Sequence, residues 1–194
     1  LFRKNIFLSG TIKEISKKLK KDYPNTYYAL NELAGKKIIS IKRIGNAKVC
    51  EINFSQEAIS VLSFLEEQEA LSSSIPNIKK ILDFKEFLDD IIIVTGSYAK
   101  RKQTSKSDID LVIITKNKAF EKQKLLDNLT SLYIPKIHPI VITQKDFTDM
   151  LIDKKASFGK EIFNNNLIFR NASRYYELIK EAIDNGFRGW IIPK

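Results

Sequence analysis

The sequence is poor in the features that mark secreted and membrane-spanning proteins. Cys50 is the only cysteine among 194 residues, which excludes a framework of intramolecular disulfides. There is no run of 18 apolar residues, so a transmembrane helix and a membrane partner are not expected. The first residues, LFRKNIFLSG, lack the long apolar segment and small-residue cleavage site of a signal peptide. We therefore expect a cytoplasmic protein, and the start at Leu1 suggests a fragment.

Acidic residues are scarce in the first third of the chain. Residues 1–55 contain twelve Lys or Arg against four Asp or Glu, whereas residues 56–194 contain 21 against 19. A local basic excess favours a polyanion partner, because each phosphate that Lys or Arg neutralises releases condensed counterions. A solvated, lysine-rich surface would explain the same counts. With 43% hydrophobic residues the chain can bury a core, and its 194 residues are enough for two small domains.

Residues 1–55 contain the pattern helix, helix, hairpin. Thr11 and Glu14 form a capping-box sequence at the start of a short amphipathic helix. Pro24 is suited to the first turn of a second helix, which Gly35 would end. The segment IISIKRIGNAKVCEINF then indicates two strands with a turn at Gly45 and Asn46.

This order resembles the winged helix-turn-helix domains of bacterial and archaeal regulators. The resemblance implies that the second helix enters the major groove of double-stranded DNA while the basic hairpin lies along its backbone or minor groove. The DNA-binding residues implied are Asn25, Thr26, Tyr27, Tyr28 and Asn31 in the helix and Lys42, Arg43 and Lys48 in the hairpin. Winged helices also serve as protein–protein modules, and that alternative stays open.

Residues 56–76 are predicted to be a connecting helix followed by a linker. Ala58, Val61, Leu62 and Leu65 recur at helical spacing, with Glu66, Glu67 and Glu69 on the other face. Such a helix could pair with a second copy, which makes a homodimer an open expectation. The segment SSSIPN has the composition of a linker. We thus predict a domain at 1–55, a connection at 56–76 and a second domain at 77–194.

The second domain alternates helix and strand patterns. Apolar runs at IIIVTGS, DIDLVIIT and KIHPIVIT indicate strands, and the amphipathic segments IKKILDFKEFLDD and NKAFEKQKLLDNLTSLY indicate one helix before them and one between them. The tail from Gln144 to Ile183 indicates helices interrupted near NNNLIFR. The prediction for the whole chain is the α+β class, with a winged helix followed by a small mixed sheet flanked by helices.

Two aspartates stand one residue apart at the start of a predicted strand. Because side chains alternate along a strand, Asp108 and Asp110 share a face while Ile109 points into the core. Two like charges on one face need a cation, and Mg²⁺ takes oxygen ligands of this kind while keeping positions for phosphate and water. Gly96 and Ser97, at the end of the preceding strand, offer a backbone to which a triphosphate could come close. Ion pairing with the basic loop at Lys100, Arg101, Lys102 and Lys106 is the structural alternative.

Gly-Ser followed by ten residues and Asp-Ile-Asp resembles the signature of the polymerase-beta-type nucleotidyltransferase superfamily, in particular its minimal nucleotidyltransferases. The resemblance implies that Asp108 and Asp110 are catalytic and bind two Mg²⁺ ions, and that Gly96 and Ser97 hold the phosphates of a nucleoside triphosphate. With the neighbouring basic and hydroxyl residues, the expected nucleotide site is Gly96, Ser97, Lys100, Arg101 and Ser107. Many family members have glycine where this chain has Arg101.

The family's third carboxylate has no counterpart on the strand KIHPIVIT, which contains His138 and no acid. Loss of a positioned general base costs about 10²- to 10⁴-fold in rate, so activity is expected to be low rather than absent. We predict transfer of a nucleoside monophosphate to a hydroxyl of a protein, a nucleic-acid end or a small molecule, in an antitoxin-like role by analogy. The alternative is a DNA-binding regulator whose degenerate domain senses nucleotide or mediates assembly.

Overall fold

A computed structural model describes residues 1–189, which contain helices and two small sheets, in agreement with the predicted α+β class. The chain divides into two compact units, residues 1–62 and 63–194, and the division falls within a helix. None of the helices in the described part of the chain is long and apolar enough to cross a membrane.

The first unit contains the predicted pair of helices and the hairpin. Its elements are a 3-10 helix Phe2–Lys4, β1 Gly10–Thr11, α1 Ile12–Leu19, α2 Tyr23–Gly35, β2 Ile39–Ile44 and β3 Ala47–Ile52. The capping box at α1 is confirmed: the Thr11 hydroxyl accepts from the Glu14 amide, and the Glu14 carboxylate accepts from the Thr11 amide. Asp22 caps α2, which has Pro24 in its first turn as predicted.

The strands of the first unit form an antiparallel sheet in the order β1-β3-β2. Ile44 pairs with Ala47, so Gly45 and Asn46 make the predicted turn, and Gly45 has a φ of +58°. The helices cover one core cluster, whose buried members are Ile12, Ile15, Leu30, Ile39 and Cys50. Burial raises the pKa of the Cys50 thiol, so this cysteine is a core residue and not a reactive one.

The division between the two units falls within helix α3, Gln56–Leu71. In its part within the second unit, Glu66 is 7% exposed and accepts a hydrogen bond from the Tyr176 hydroxyl at 2.9 Å. Glu67 accepts from the Ala172 amide, and the guanidinium of Arg101 donates to Glu69. The acidic face is therefore a packing face. Val61, Phe64, Leu65 and Leu71 are exposed instead, and pairing with a second copy stays a prediction.

The second unit is built around one sheet with helices packed against it. Its elements after α3 are α4 Ile78–Leu82, a 3-10 helix Lys85–Phe87, β4 Ile91–Thr95, α5 Gly96–Ala99, β5 Ile109–Thr115, α6 Ala119–Thr130, β6 Ile137–Thr143, α7 Gln144–Ile152, α8 Phe158–Asn164, β7 Leu167–Arg170 and α9 Ala172–Asp184. The sheet order is β6-β5-β4-β7, with β5 and β6 parallel and the other pairs antiparallel. It is thus the small mixed sheet that was predicted.

Two local predictions for this unit need correction. The segment NNNLIFR was predicted only as an interruption between helices, but Leu167–Arg170 forms β7 on the free edge of β4. The segment after the predicted linker does not form one helix either, since Phe84 is extended and separates α4 from the 3-10 helix. In both places tertiary contacts win over local pattern: the Arg170 guanidinium donates to the carbonyl of Leu82, tying the two segments together.

Candidate active site

The two aspartates lie where β5 begins, between a turn and a neighbouring strand. Asp108 directly precedes β5, Ile109 is 1% exposed, and Asp110 is half-buried. In the sheet register Asp110 pairs with Thr95 of β4 on one side and with His138 of β6 on the other. Because alternate residues share a face, the sheet brings the Gly96 turn, both aspartates and His138 together.

Gly96 is required by the position of the Asp110 carboxylate. Its φ is +66°, a left-handed conformation that side chains disfavour. A Cβ atom built on it would lie 1.9 Å from Asp110 Oδ2 and 2.9 Å from Asp110 Cγ. The turn after β4 therefore wraps closely around this carboxylate, and only glycine leaves room for it.

His138 contacts both aspartates. Its Nε2 lies 3.2 Å from Asp108 Oδ2, and its Nδ1 lies 3.9 Å from Asp110 Oδ1. The imidazole is about half exposed, so it is not a core residue held by packing alone. It lies on β6 beside Asp110 of β5, and β6 is the strand that contains no acidic residue.

A cavity of about 150 Å³ lies beside Asp110 and His138, and some of the residues that line it were not predicted from the sequence. Helix α8 contributes Phe158 and Glu161. The cavity is lined by Thr95, Gly96, Asp110, Leu111, Val112, His138, Ile140, Phe158 and Glu161. Nothing in the local sequence ASFGKEIF marks it as part of the site, because α8 reaches the cavity only through tertiary packing.

The pKa of Asp110 is raised, and partial burial is the main cause. The negative charges of Glu161 and Asp108 raise this pKa further, while the positive charge of a protonated His138 and that of Lys100 lower it. The neighbouring carboxylates thus disfavour the ionised form of Asp110.

Among the described residues, Lys100 and Arg101 of the basic loop form their ion pairs with glutamates and not with the aspartates. Lys100 Nζ lies 3.6 Å from Glu161 Oε1, and Arg101 pairs with Glu69 at 3.0 Å. Arg101 has a φ of +53°, a conformation that glycine would adopt without strain. Ser107 accepts a hydrogen bond from the Thr104 amide at 2.9 Å and so closes the loop. Of the five predicted nucleotide-binding residues, Gly96 is the one found among the residues that line the cavity in the described part of the chain.

Two carboxylates on one strand face fit Mg²⁺ by donor type. Magnesium in proteins is commonly held by one or two carboxylates together with water and substrate phosphates. Within residues 1–189, no group of three or more His, Cys, Asp or Glu side chains is arranged to hold a metal ion. Asp108 and Asp110 would therefore hold the ion only with oxygen atoms from the nucleotide, from water or from a rearranged side chain.

The predicted DNA-binding residues form a partly exposed set in the first unit. Tyr28 is 72% exposed, whereas Thr26 is 5% exposed and donates its hydroxyl proton to the Asp22 carbonyl, so Thr26 does not face solvent. Lys48 lies over the Tyr27 ring, 5.0 Å from its centroid, which joins the hairpin to α2. Asn25 is held by the Asp22 carboxylate.

The remaining members are exposed and have local partners. The Asn31 amide donates to the Tyr27 carbonyl at 2.7 Å. In the hairpin, Lys42 pairs with Glu51 at 2.9 Å and Arg43 donates to the Gly45 carbonyl at 3.1 Å.

Comparison with known families agrees with the chemistry of the cavity. A family model described as "Nucleotidyltransferase domain" matches residues 75–163. The matched segment contains the Gly96 turn, Asp108 and the polar side chains that line the cavity, which are Thr95, Asp110, His138 and Glu161. A search of curated proteins gave no match. The match supports the nucleotidyltransferase superfamily for this segment, and with it nucleotide transfer from a nucleoside triphosphate.

Proposed function

We propose that the chain is a Mg²⁺-dependent nucleotidyltransferase that transfers a nucleoside monophosphate from a nucleoside triphosphate to a hydroxyl acceptor. The observation that carries the proposal is the fit of the Gly96 turn around the Asp110 carboxylate. A Cβ atom built at position 96 would lie only 1.9 Å from Asp110 Oδ2, which excludes any side chain there. A structural ion pair would not need a glycine in a left-handed turn beside it. A phosphate chain that approaches both the backbone and a cation does need such a glycine, because a side chain would block its approach.

Each residue has a role in this proposal. Asp108 and Asp110 would hold two magnesium ions, which activate the acceptor and neutralise the leaving pyrophosphate. Gly96 and Ser97 let the triphosphate approach the backbone. Lys100 and Arg101 add positive charge beside it.

His138, in contact with both aspartates, is the residue we assign to accept the acceptor's proton. The acceptor oxygen forms a bond to the α-phosphorus, the bond from that phosphorus to the pyrophosphate oxygen breaks, and the proton passes to the imidazole. On this assignment His138→Ala should lower transfer about 10²- to 10⁴-fold, as expected for the loss of a general base, whereas His138→Asp places a carboxylate at the same register position and should keep transfer. Unchanged transfer in His138→Ala would show that the imidazole is structural.

The acceptor can be found with each of four α-labelled triphosphates, Mg²⁺ and a cell extract. We propose a protein acceptor, in keeping with the antitoxin-like role, so the label should appear in a protein band. Label in a nucleic-acid or small-molecule fraction would correct the acceptor class. The double variant Asp108→Asn/Asp110→Asn should transfer no label, and transfer by that variant would contradict the site assignment.

We further propose that the first unit is a winged helix that binds duplex DNA. The support is its element order, its basic excess and the exposed residues of α2 and the hairpin. Binding of the full chain should weaken steeply as salt rises. Replacement of Lys42, Arg43 and Lys48 by Gln should lower the salt slope by up to about 2.7, since each phosphate contact contributes about 0.9.

The matched control for this experiment removes the same charge from exposed lysines of the second unit: Lys79, Lys85 and Lys124. It should leave the slope nearly unchanged. If both triple variants lower the slope equally, or the wild-type chain binds no DNA at low salt, the first unit is an interaction module instead.

A second candidate function is a DNA-binding regulator whose nucleotidyltransferase domain senses nucleotide without transferring it. The observation favouring it is that β6, the strand on which the family resemblance implies a carboxylate, contains His138 and no acid. The two candidates differ in one measurement. A sensor changes its DNA affinity when a triphosphate binds and labels no acceptor, whereas the enzyme consumes the triphosphate.

A further inference from the structure

We propose that Glu161 of α8 supplies the third carboxylate oxygen of the cation site, turning from Lys100 towards Asp110 when a divalent ion binds. The proposal rests on the proposed function and adds a residue to its site. Glu161 and Asp110 line the same cavity from different elements, α8 and β5. The acid that β6 does not provide thus comes from a helix later in the chain.

The position of Glu161 is fixed by packing on both sides of it. A Cβ on Gly159 would lie 2.7 Å from Met150 Cβ, so α8 packs closely against α7 at this point. Lys160 is 3% exposed and donates to the carbonyls of Asp153 and Lys155. After the helix, the Asn165 carbonyl accepts a hydrogen bond from the Thr95 hydroxyl at 2.6 Å, directly before Gly96. The backbone of α8 is therefore tied to the turn of the site.

The side chain of Glu161, in contrast, is half exposed, and its Oε1 lies 3.6 Å from Lys100 Nζ, which is long beside the roughly 2.7–2.9 Å of a charge-assisted hydrogen bond. The exposure and the long contact leave this side chain room to turn. Its negative charge is also felt by Asp110, whose pKa it raises. Without a cation, repulsion favours Lys100 as its partner. A doubly charged ion between the carboxylates would reverse that preference.

The test measures Mn²⁺ binding to the full chain in the absence of nucleotide. Binding is measured by calorimetry and by the electron paramagnetic resonance signal of free Mn²⁺. Glu161→Gln should weaken binding by about tenfold or more, since even outer-shell partners of metal ligands contribute about 10- to 100-fold. The control is Glu121→Gln, which removes the same charge from an exposed position in the first turn of α6. It should change the affinity less than twofold.

Lys100→Gln gives a result of the opposite sign. It removes the cation that competes for Glu161, so Mn²⁺ should bind more tightly. In the Glu161→Gln background the same change should give a smaller gain, because no carboxylate is released there. Full additivity of the two changes would contradict the proposal, since it would reduce both effects to general charge.

The outcomes separate this proposal from the one on which it rests. Wild-type affinity in Glu161→Gln, together with loss of binding in Asp108→Asn/Asp110→Asn, would overturn the role of Glu161 and leave the proposed function standing. An absence of Mn²⁺ binding in the wild type, with or without triphosphate, would overturn both. Circular dichroism on each variant shows that it is folded before its affinity is compared.

Discussion

Replacement of Gly96 by Ala tests how closely the turn is fitted to Asp110. Two costs can be worked out from the structure. An L-residue at a φ of +66° costs about 1–2 kcal/mol. The new Cβ would also lie 1.9 Å from Asp110 Oδ2, whereas such contacts essentially never fall below 3.0 Å, so the carboxylate must move by more than about 1 Å. Rotating it off its preferred torsions costs about 0.5–1.5 kcal/mol more.

Gly45→Ala is the matched control for this substitution. Gly45 has a φ of +58°, but no atom lies within 4 Å of a Cβ built there. It therefore carries the backbone cost of about 1–2 kcal/mol without the displaced carboxylate. Urea unfolding should show the loss of each variant in the transition of its own unit. Only Gly96→Ala should lose Mg²⁺-dependent triphosphate binding, and a displacement of about 1 Å can reduce a site's function about 10²-fold.

The reasoning would be refuted by a folded Gly96→Ala protein that binds triphosphate and Mg²⁺ as the wild type does. That result would mean that the carboxylate of Asp110 can leave its place without consequence. It would equally count against the account if Gly45→Ala impaired triphosphate binding as strongly as Gly96→Ala.

Three further outcomes are expected. Asp110→Asn should raise the thermal stability of the metal-free protein at neutral pH, because the raised pKa of Asp110 makes its ionised form unfavourable in the folded state. The wild type should gain the same stability as the pH falls through that raised pKa. An unchanged melting temperature of the variant would contradict this prediction. Lys122→Met should cost about 3–5 kcal/mol in urea unfolding, because it leaves the carboxylate of Asp90, 3% exposed, without its cation. Tyr176→Phe should cost about 1.5–3 kcal/mol by the same measurement, since it removes a hydroxyl that donates to the buried carboxylate of Glu66; a loss below about 0.5 kcal/mol would show that α3 does not depend on this contact.

Local signals in the sequence were sufficient for much of the second unit and for the centre of its site. Strand alternation correctly places Asp108 and Asp110 on one face, because the side chain of Ile109 must be buried between them. Turn and capping residues are equally local, and the Gly45 turn and the Thr11 cap both form as predicted. The roles of these residues in nucleotide chemistry came from the family resemblance and not from spacing.

What the sequence could not show depends on contacts between distant segments. β7 is recognisable only as a partner of β4, about 75 residues earlier in the chain, as in the pairing of Ile93 with Ile168. Glu161 reaches the cavity because α8 packs on α7 and is tied to Thr95, and no local pattern encodes that. The sequence places the acidic residues of α3 opposite its apolar face, but it does not show that Glu66 is buried against Tyr176.

The central claim is that the Gly96 turn and the two aspartates form a cation-dependent triphosphate site. The most direct measurement is calorimetric titration of ATP, GTP, CTP and UTP separately into the wild type and Asp108→Asn/Asp110→Asn, with and without Mg²⁺. The account predicts that Mg²⁺ tightens binding of at least one triphosphate to the wild type and that the double variant loses this coupling, since a neutral amide oxygen binds a divalent cation much more weakly than an ionised carboxylate. Triphosphate binding that is independent of metal and unchanged in the double variant would contradict it.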